Sequence, residues 1–131
     1  MRQNGDGGRG ISFANQGKVL VALTRAGVKL LAGTDSPNMP NAVGLHGESG
    51  MFVRPGLTPV EALRTATSYA AEALGSGADL GMIEVGEVAD IVILDADPLA
   101  DIRNTRKVKA VVKNGRLFDM KTRLSGTTIQ P

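Results

Sequence analysis

One carboxylate follows directly after a predicted buried strand. The apolar run VKLLA at residues 28–32 predicts a short buried strand, and Gly33, Thr34 and Asp35 come next in the chain. Parallel α/β barrels carry their chemistry just past the C-terminal ends of their strands, where a rigid strand aims the side chain and the loop leaves it accessible. Asp35 is therefore a candidate catalytic residue. A purely structural role stays open, because Asp-Ser-Pro at residues 35–37 is also favourable turn chemistry.

Helices are predicted on both sides of this strand. A first helix runs from about Asn15 to Arg25, with Gly27 as its C-terminal stop, and a short helix is expected over 45–53, after a polar loop over 36–44. The best-defined element spans residues 58–74. There Thr58 is a good N-cap, Glu61 completes a Thr-x-x-Glu capping box, and Gly75 supplies a left-handed stop. Nothing in this helix requires a functional explanation.

The hydrophobic pattern changes after Gly77. The β-branched run over 89–94 predicts a strand, and residues 107–113 alternate apolar side chains with lysines. Asn114-Gly115 is a strong signal for a tight hairpin, after which RLF at residues 116–118 predicts a third strand. The glycine-rich first ten residues are expected to be disordered, and the end of the chain to be a tail.

Composition excludes several classes of protein. The absence of cysteine rules out a disulfide scaffold and a thiolate metal site, and it favours a reducing compartment such as the cytoplasm without proving it. The net charge of +2 is mild, and the late basic residues lack aromatic neighbours that would stack on bases, so we expect no nucleic-acid partner. No run has the length of a membrane helix, and the first residues lack the apolar stretch of a signal peptide.

The predicted elements do not form a closed fold. With 131 residues the chain is one domain or a piece of one. A single barrel-type strand with flanking helices cannot make a parallel sheet, and three short strands cannot bury a two-sided core. We therefore expect an incomplete structure, composed of a helix–strand–helix half up to about residue 76 and an all-strand half after it.

Several motifs in order resemble the C-terminal part of the metal-dependent amidohydrolases. They cover roughly residues 17–119 and most resemble the imidazolonepropionase-like and Xaa-Pro dipeptidase-like branch. Each motif is weak, and their order is what makes the assignment strong. The motifs are AGVKLLAGTDS at 26–36, GLHGE at 44–48, GLTPVEAL at 56–63, AT at 66–67, ALG at 73–75, LGMIEVGEVADIVILD at 80–95, DPL at 97–99 and VKNGR at 112–116.

This resemblance implies an α/β fold, in which a (β/α)₈ TIM-type barrel carries a small β-sandwich built from both chain ends. Residues 28–33 would be the last barrel strand, residues 56–75 an outer helix, and residues 83–119 the C-terminal share of the sandwich. The expected domain organisation is a disordered N-terminal segment over 1–14, the C-terminal part of the hydrolase barrel over 15–76, the sandwich part over 77–119 and a tail over 120–131.

The resemblance also implies chemistry at Asp35. In this family the Asp after the last strand ligates a divalent metal, most often zinc, accepts a proton from the metal-bound water and passes it to the leaving nitrogen. His46, the one histidine of the chain, would lie in the following loop and contact the substrate or shape the pocket, although a structural or a surface histidine fits equally well. Glu48 fits a helix start or a loop better than catalysis. We interpret Asp90 and Asp95 as turn and edge carboxylates of the sandwich.

The departures from the family pattern limit what this chain can do alone. The family site needs a His-x-His pair, a bridging carboxylated Lys or a Glu, and two further histidines, which one histidine cannot provide. The chain is thus expected to be the inactive C-terminal portion of a hydrolase that cleaves amide, cyclic amide or dipeptide bonds of a small molecule. Its partners would be the remaining barrel and sandwich strands, and a homo-oligomer is compatible with this prediction. The alternative is a non-catalytic accessory protein whose apolar faces bind a partner.

Overall fold

The computed structural model describes residues 13–35 and 41–120. This part of the chain is an α/β arrangement with a small antiparallel sheet in the order β1-β2-β3. Residues 1–12 of the segment predicted to be disordered over 1–14, and residues 121–131 of the predicted tail, lie outside the described residues, whereas residues 13 and 14 are helical. The elements in chain order are α1 (Phe13–Arg25), α2 (Asn41–Val53), α3 (Pro59–Ala66), α4 (Ser68–Ala73), β1 (Ile91–Leu94), a 3₁₀ helix (Ile102–Arg106), β2 (Val108–Lys113) and β3 (Arg116–Asp119).

Two helices end at the glycines that the sequence indicates. At the end of α1 the N–H of Val28 donates to the carbonyl of Leu23, and Gly27 has a φ of +84°. Helix α4 ends in the same way, since Ser76 N–H donates to the carbonyl of Ala71 and Gly75 has a φ of +73°. These are Schellman motifs, in which a left-handed residue lets the last carbonyls find donors. The predicted stops are confirmed.

The predicted helix over 58–74 is correct at its start and wrong in its continuity. The capping box is present, since Thr58 N–H donates to Glu61 Oε2 over 2.7 Å and Glu61 N–H donates to Thr58 Oγ1 over 3.2 Å. The helix breaks at Thr67, whose φ of −125° and ψ of −100° are not helical. The carbonyl of Thr65 accepts from Ala32 N–H over 3.1 Å instead of serving a continuous helix. A tertiary hydrogen bond therefore divides one predicted helix into α3 and α4.

The strand predicted over 28–32 is not formed as a strand. Residues 28–35 have no regular secondary structure, and no strand lies beside them among the described residues. A strand requires a neighbour bonded along the backbone, and among the described residues the one backbone hydrogen bond from this run to α3 is that of Ala32. Leu30 and Ala32 still pack against the core, whereas Val28 and Leu31 are exposed.

Helix α2 is longer than predicted. It begins at Asn41 rather than at Leu45, so the expected loop over 36–44 is wrong for its last four residues, and residues 36–40 lie outside the described part. Gly44 lies in this early part of the helix, close to the 28–35 segment. A Cβ at this position would lie 3.0 Å from Cγ2 of Thr34, so the missing side chain lets the helix approach the 28–35 segment.

The sheet follows the sequence pattern closely. β1 pairs with β2 and β2 with β3, all antiparallel. Asn114 and Gly115 both have positive φ, at 49° and 76°, as a two-residue type I′ hairpin turn requires. Asp90 is a turn carboxylate, as predicted, because its Oδ1 accepts from Asn114 N–H over 2.7 Å and it pairs with Lys113. The 3₁₀ helix before β2 was not predicted.

The core is small and draws on both halves of the chain. Its buried members are Phe52, Leu57, Ala62 and Ile102, which come from α2, the turn after it, α3 and the 3₁₀ helix. Many large apolar side chains in the described residues stay exposed, among them Ile83 at 81%. None of the helices described here is long and apolar enough to cross a membrane.

Candidate active site

Asp35 lies at the end of the core-packed 28–35 segment. Its side chain is exposed, and its backbone has a φ of +36°. Positive φ is uncommon outside glycine, and Asp is among the residues that tolerate it. Such backbone conformations gather at functional sites, where the surrounding structure holds them in place. The segment therefore presents a carboxylate to the surface in an unusual backbone conformation.

Three successive residues before Asp35 are each held by a different contact. Ala32 N–H donates to the carbonyl of Thr65 in α3 over 3.1 Å. Gly33 N–H donates to Oε1 of Glu48 in α2 over 3.0 Å. Thr34 packs its methyl group against Gly44 of α2. Two helices thus fix the backbone that leads to Asp35.

Glu48 has a role that the sequence prediction missed. It lies in the second half of α2 rather than at a helix start or in a loop, and its carboxylate reaches the 28–35 segment. Oε2 is buried and has no hydrogen-bond partner within residues 13–35 and 41–120. The available sequence signal was the four-residue spacing of Gly44 and Glu48, which places both on one helix face once α2 is known to begin at Asn41.

His46 is half-buried on the same helix. Residues two apart on an α-helix point about 200° from one another, because a turn takes 3.6 residues. The face of α2 that carries Gly44 and Glu48 toward the 28–35 segment is therefore not the face of His46. The predicted contact of His46 with a substrate stays a prediction.

The described residues do not fit a metal site by themselves. They contain no group of three His, Cys, Asp or Glu side chains that could hold an ion. A competent zinc site needs three or more protein ligands and an open position. Asp35 is thus one candidate ligand without the others, as the single histidine and the absence of cysteine in the sequence indicate.

Other carboxylates of the described part are engaged in structural ion pairs. The hydrogen bond from Arg25, with those from the backbone and hydroxyl of Thr58, lowers the pKa of Glu61 to about 2. Arg103 lowers the pKa of Asp101 to about 2 by hydrogen bonds from its side chain and its backbone. Both carboxylates cap helices, and neither contacts the 28–35 segment in the described hydrogen bonds and ion pairs.

An open cleft lies beside the break between α3 and α4, and Asp35 is not among the residues that line it. It is lined by Thr67, Tyr69 and Glu72 on one side and by Met82 and Ile83 on the other. Lys29 pairs with Glu72 and sits 5.7 Å from the centre of the Tyr69 ring. The cleft is shallow, and its lining offers no cluster of metal ligands. Asp35 is therefore the better candidate for chemistry.

Comparison with known proteins shows where these elements belong. The model of the amidohydrolase family matches residues 14–118. Ochratoxinase from Aspergillus niger is 38% identical over 99 residues, which are 72% of this chain and 20% of that protein. Imidazolonepropionase from Symbiobacterium thermophilum is 46% identical over 66 residues, which are 48% of this chain and 16% of that protein.

Solved structures give the same relation. A Xaa-Pro dipeptidase with bound methionine in its active site superposes with a TM-score of 0.72 at 28% identity, over 79% of this chain and 25% of that one. Molinate hydrolase superposes with a TM-score of 0.69 at 32% identity, over 87% of this chain and 27% of that one. The chain spans about a fifth of the ochratoxinase length. The family match covers most of the chain, so the resemblance seen in the sequence is confirmed and the chain belongs to the amidohydrolase family.

Proposed function

We propose that this chain is the C-terminal portion of a longer metal-dependent hydrolase, here called the parent enzyme, which cleaves C–N bonds of a small amide, cyclic amide or dipeptide. The family assignment supports hydrolysis at this level. Similar proteins are named ochratoxinase, imidazolonepropionase, Xaa-Pro dipeptidase and phenylurea hydrolase B. These names span several substrates, and the proposal therefore concerns the type of bond that is cleaved.

In the parent enzyme the 28–35 segment would contain the last barrel strand. Three features support this. The run is apolar, packs Leu30 and Ala32 on the core, and leaves Val28 and Leu31 exposed where adjoining barrel elements would cover them. Helices α3 and α4 would lie outside the barrel, and the three-stranded sheet would complete the sandwich. The division between 15–76 and 77–119 is part of this proposal, with Ile102 linking the two parts through the shared core.

The observation that carries the proposal is the placement of Asp35. It stands at the end of the apolar run, exposed, with a left-handed backbone fixed by contacts at the three residues before it. A carboxylate in that position can accept a proton and deliver it to a leaving nitrogen. The described residues do not form a metal site, so the remaining ligands would come from the rest of the parent enzyme.

A second candidate function rests on the exposed apolar surface. Val92 and Phe118 lie on one face of the sheet, since both are in register with Val111, and they are 55% and 39% exposed. A non-catalytic accessory protein would cover such a surface with a partner. On either proposal, the isolated chain is inactive.

The reading frame upstream of Met1 distinguishes the two functions. The parent enzyme requires an open frame that encodes a His-x-His pair after an apolar run. The product of that longer frame, expressed with zinc, should hydrolyse at least one member of a panel of Xaa-Pro dipeptides, N-acyl amino acids and cyclic amides. A translation start at Met1 with its own ribosome-binding signal and no such upstream frame would contradict the hydrolase and support the accessory protein.

A further inference from the structure

We propose that Glu48 is a positioning residue, which fixes the backbone at Gly33 and through it the orientation of Asp35. This inference rests on the proposed function for the role of Asp35, and on the structure alone for the contact. Glu48 Oε1 accepts the Gly33 N–H over 3.0 Å. Gly33 is two residues from Asp35, so its peptide plane determines how the chain enters the positive-φ conformation of the carboxylate.

Helix α2 gives Glu48 a rigid base. Glu48 lies inside α2, which spans Asn41–Val53, and the buried side chain of Phe52 packs this helix on the core. Ser49 reinforces the same turn, because its hydroxyl donates to the carbonyl of Leu45 over 2.9 Å. One turn before Glu48, Gly44 lets the helix contact Thr34. The carboxylate is therefore presented from a packed surface rather than from a loop.

The burial of Glu48 Oε2 indicates that this carboxylate is not simply a solvated surface charge. A buried carboxylate oxygen without a hydrogen bond carries an uncompensated desolvation cost. Among the described residues this oxygen has no partner. An acceptor that is costly to bury and that holds one backbone N–H is expected where the position of that backbone matters. Among the described hydrogen bonds no oxygen of α3 accepts from Gly33 N–H, and the Thr65 carbonyl accepts from Ala32 N–H instead.

A charge-assisted bond from a carboxylate to a backbone N–H is stronger than a neutral one. Removing Glu48 leaves Ala32 held by α3 and Thr34 held by packing, with the Gly33 amide free to rotate between them. The expected consequence is local. The core and the bond from Ala32 survive, while Gly33 and the carboxylate beyond it sample several orientations.

Amide hydrogen exchange of the ¹⁵N-labelled 131-residue chain tests this directly. In the wild-type chain the amides of Ala32 and Gly33 should both be protected. Glu48→Ala should accelerate exchange at Gly33 at least tenfold and leave Ala32 within about twofold. Glu48→Gln should restore most of the protection, because its carbonyl oxygen can still accept. Glu84→Ala, which removes an exposed carboxylate outside α2 and the 28–35 segment, is the matched control and should change neither amide.

Three results would overturn the proposal. The first is a wild-type Gly33 amide that exchanges as fast as in an unfolded chain. The second is equal acceleration at Ala32 and Gly33, which would mean that Glu48 only stabilises the chain. The third is unchanged exchange at Gly33 in Glu48→Ala. If Glu48→Ala loses its helical far-UV signal, Glu48→Gln is the deciding variant. Retained protection at Gly33 in Glu48→Gln would support the proposal. Loss of protection at both amides would contradict it.

These exchange results do not depend on hydrolysis, so the contact and the proposed function can fail separately. If both hold, Glu48→Ala in the parent enzyme lowers kcat by tenfold or more with little change in KM, and Glu48→Gln recovers most of it. Should the exchange pattern appear while Asp35→Asn stays active, the contact is real and the role of Asp35 is wrong.

Discussion

Asp35 and the structural carboxylates differ in what surrounds them. Glu61 and Asp101 have hydrogen bonds from arginines and from backbone amides, and these bonds lower the pKa of each to about 2. Asp35 is exposed at the end of a fixed segment. The apolar run before Asp35 identified this residue as a candidate in the sequence. The role of Glu48 could not be predicted from the sequence, because its partner is a backbone N–H fifteen residues earlier. Only the folded chain shows which amide needs an acceptor.

The lowered pKa of Glu61 predicts a dependence of stability on pH. A carboxyl whose pKa is lower in the folded chain stabilises it fully above the unfolded value, and this contribution is lost as the pH falls through the folded value. For Glu61 the window runs from 4.5 down to about 2. The urea midpoint of the helical far-UV signal should therefore fall between pH 6 and pH 2.5. It should fall less in Glu61→Gln, whereas Glu84→Gln at an exposed site should behave as the wild type. Equal pH dependence in all three chains would contradict the assignment.

Helix ends and the hairpin were predictable because their signals are local. Gly27, Gly75 and the Asn-Gly turn act through their own backbone conformations, and each stands where the pattern indicates. The strand over 28–32 and the continuous helix over 58–74 were wrong because both depend on partners distant in the chain. The strand has no neighbour to pair with in the described residues, and the bond from Ala32 to Thr65 accompanies the break at Thr67.

Gly81 is the position where the approach of α4 to the following turn is closest. A Cβ there would lie 2.8 Å from Cβ of Ala71 and 2.9 Å from Cα of Ser68, with a φ of +105°. Gly86 is a matched control, because its φ is +104° and nothing lies within 4 Å of the same position. Gly81→Ala should accelerate amide exchange at Leu74, at the end of α4, about tenfold more than Gly86→Ala, which corresponds to about 1.4 kcal/mol. Equal effects would show that backbone strain, and not packing, governs this turn.

At the scale of the whole molecule, the described part buries little apolar surface for its length. Four residues form the buried core cluster, and large side chains remain exposed on both halves of the chain. The sequence indicated this by its unclosed elements, since one barrel-type strand and three short strands cannot complete two cores. What the sequence did not indicate is that the two halves share a core through Ile102 and the 3₁₀ helix.

The exposed surface predicts how the purified chain behaves. It should give a helical far-UV signal with a weakly cooperative melt, bind a dye such as ANS, and self-associate, because helices of this length are marginal without packing and the exposed apolar groups favour association. Calorimetry and light scattering measure these properties. A sharp two-state melt of a clean monomer would contradict the C-terminal-portion proposal and support the accessory protein.

The shortage of ligands predicts the response to metal. Equilibrium dialysis of the 131-residue chain against zinc should find no stoichiometric site of micromolar or better affinity, since a zinc site needs at least three protein ligands. Asp35→Asn should leave the small residual uptake unchanged. Tight binding of one ion per chain would mean that the chain, or an assembly of it, supplies ligands that this account does not recognise.

Turnover by Asp35→Asn in the parent enzyme tests the central claim most directly. Asn keeps the shape of the side chain but cannot accept a proton, so kcat should fall by far more than tenfold while the melting temperature stays nearly unchanged. If Asp35→Asn retains more than about a tenth of the wild-type kcat, a loss below about 1.4 kcal/mol in the barrier, Asp35 does not have the proposed role.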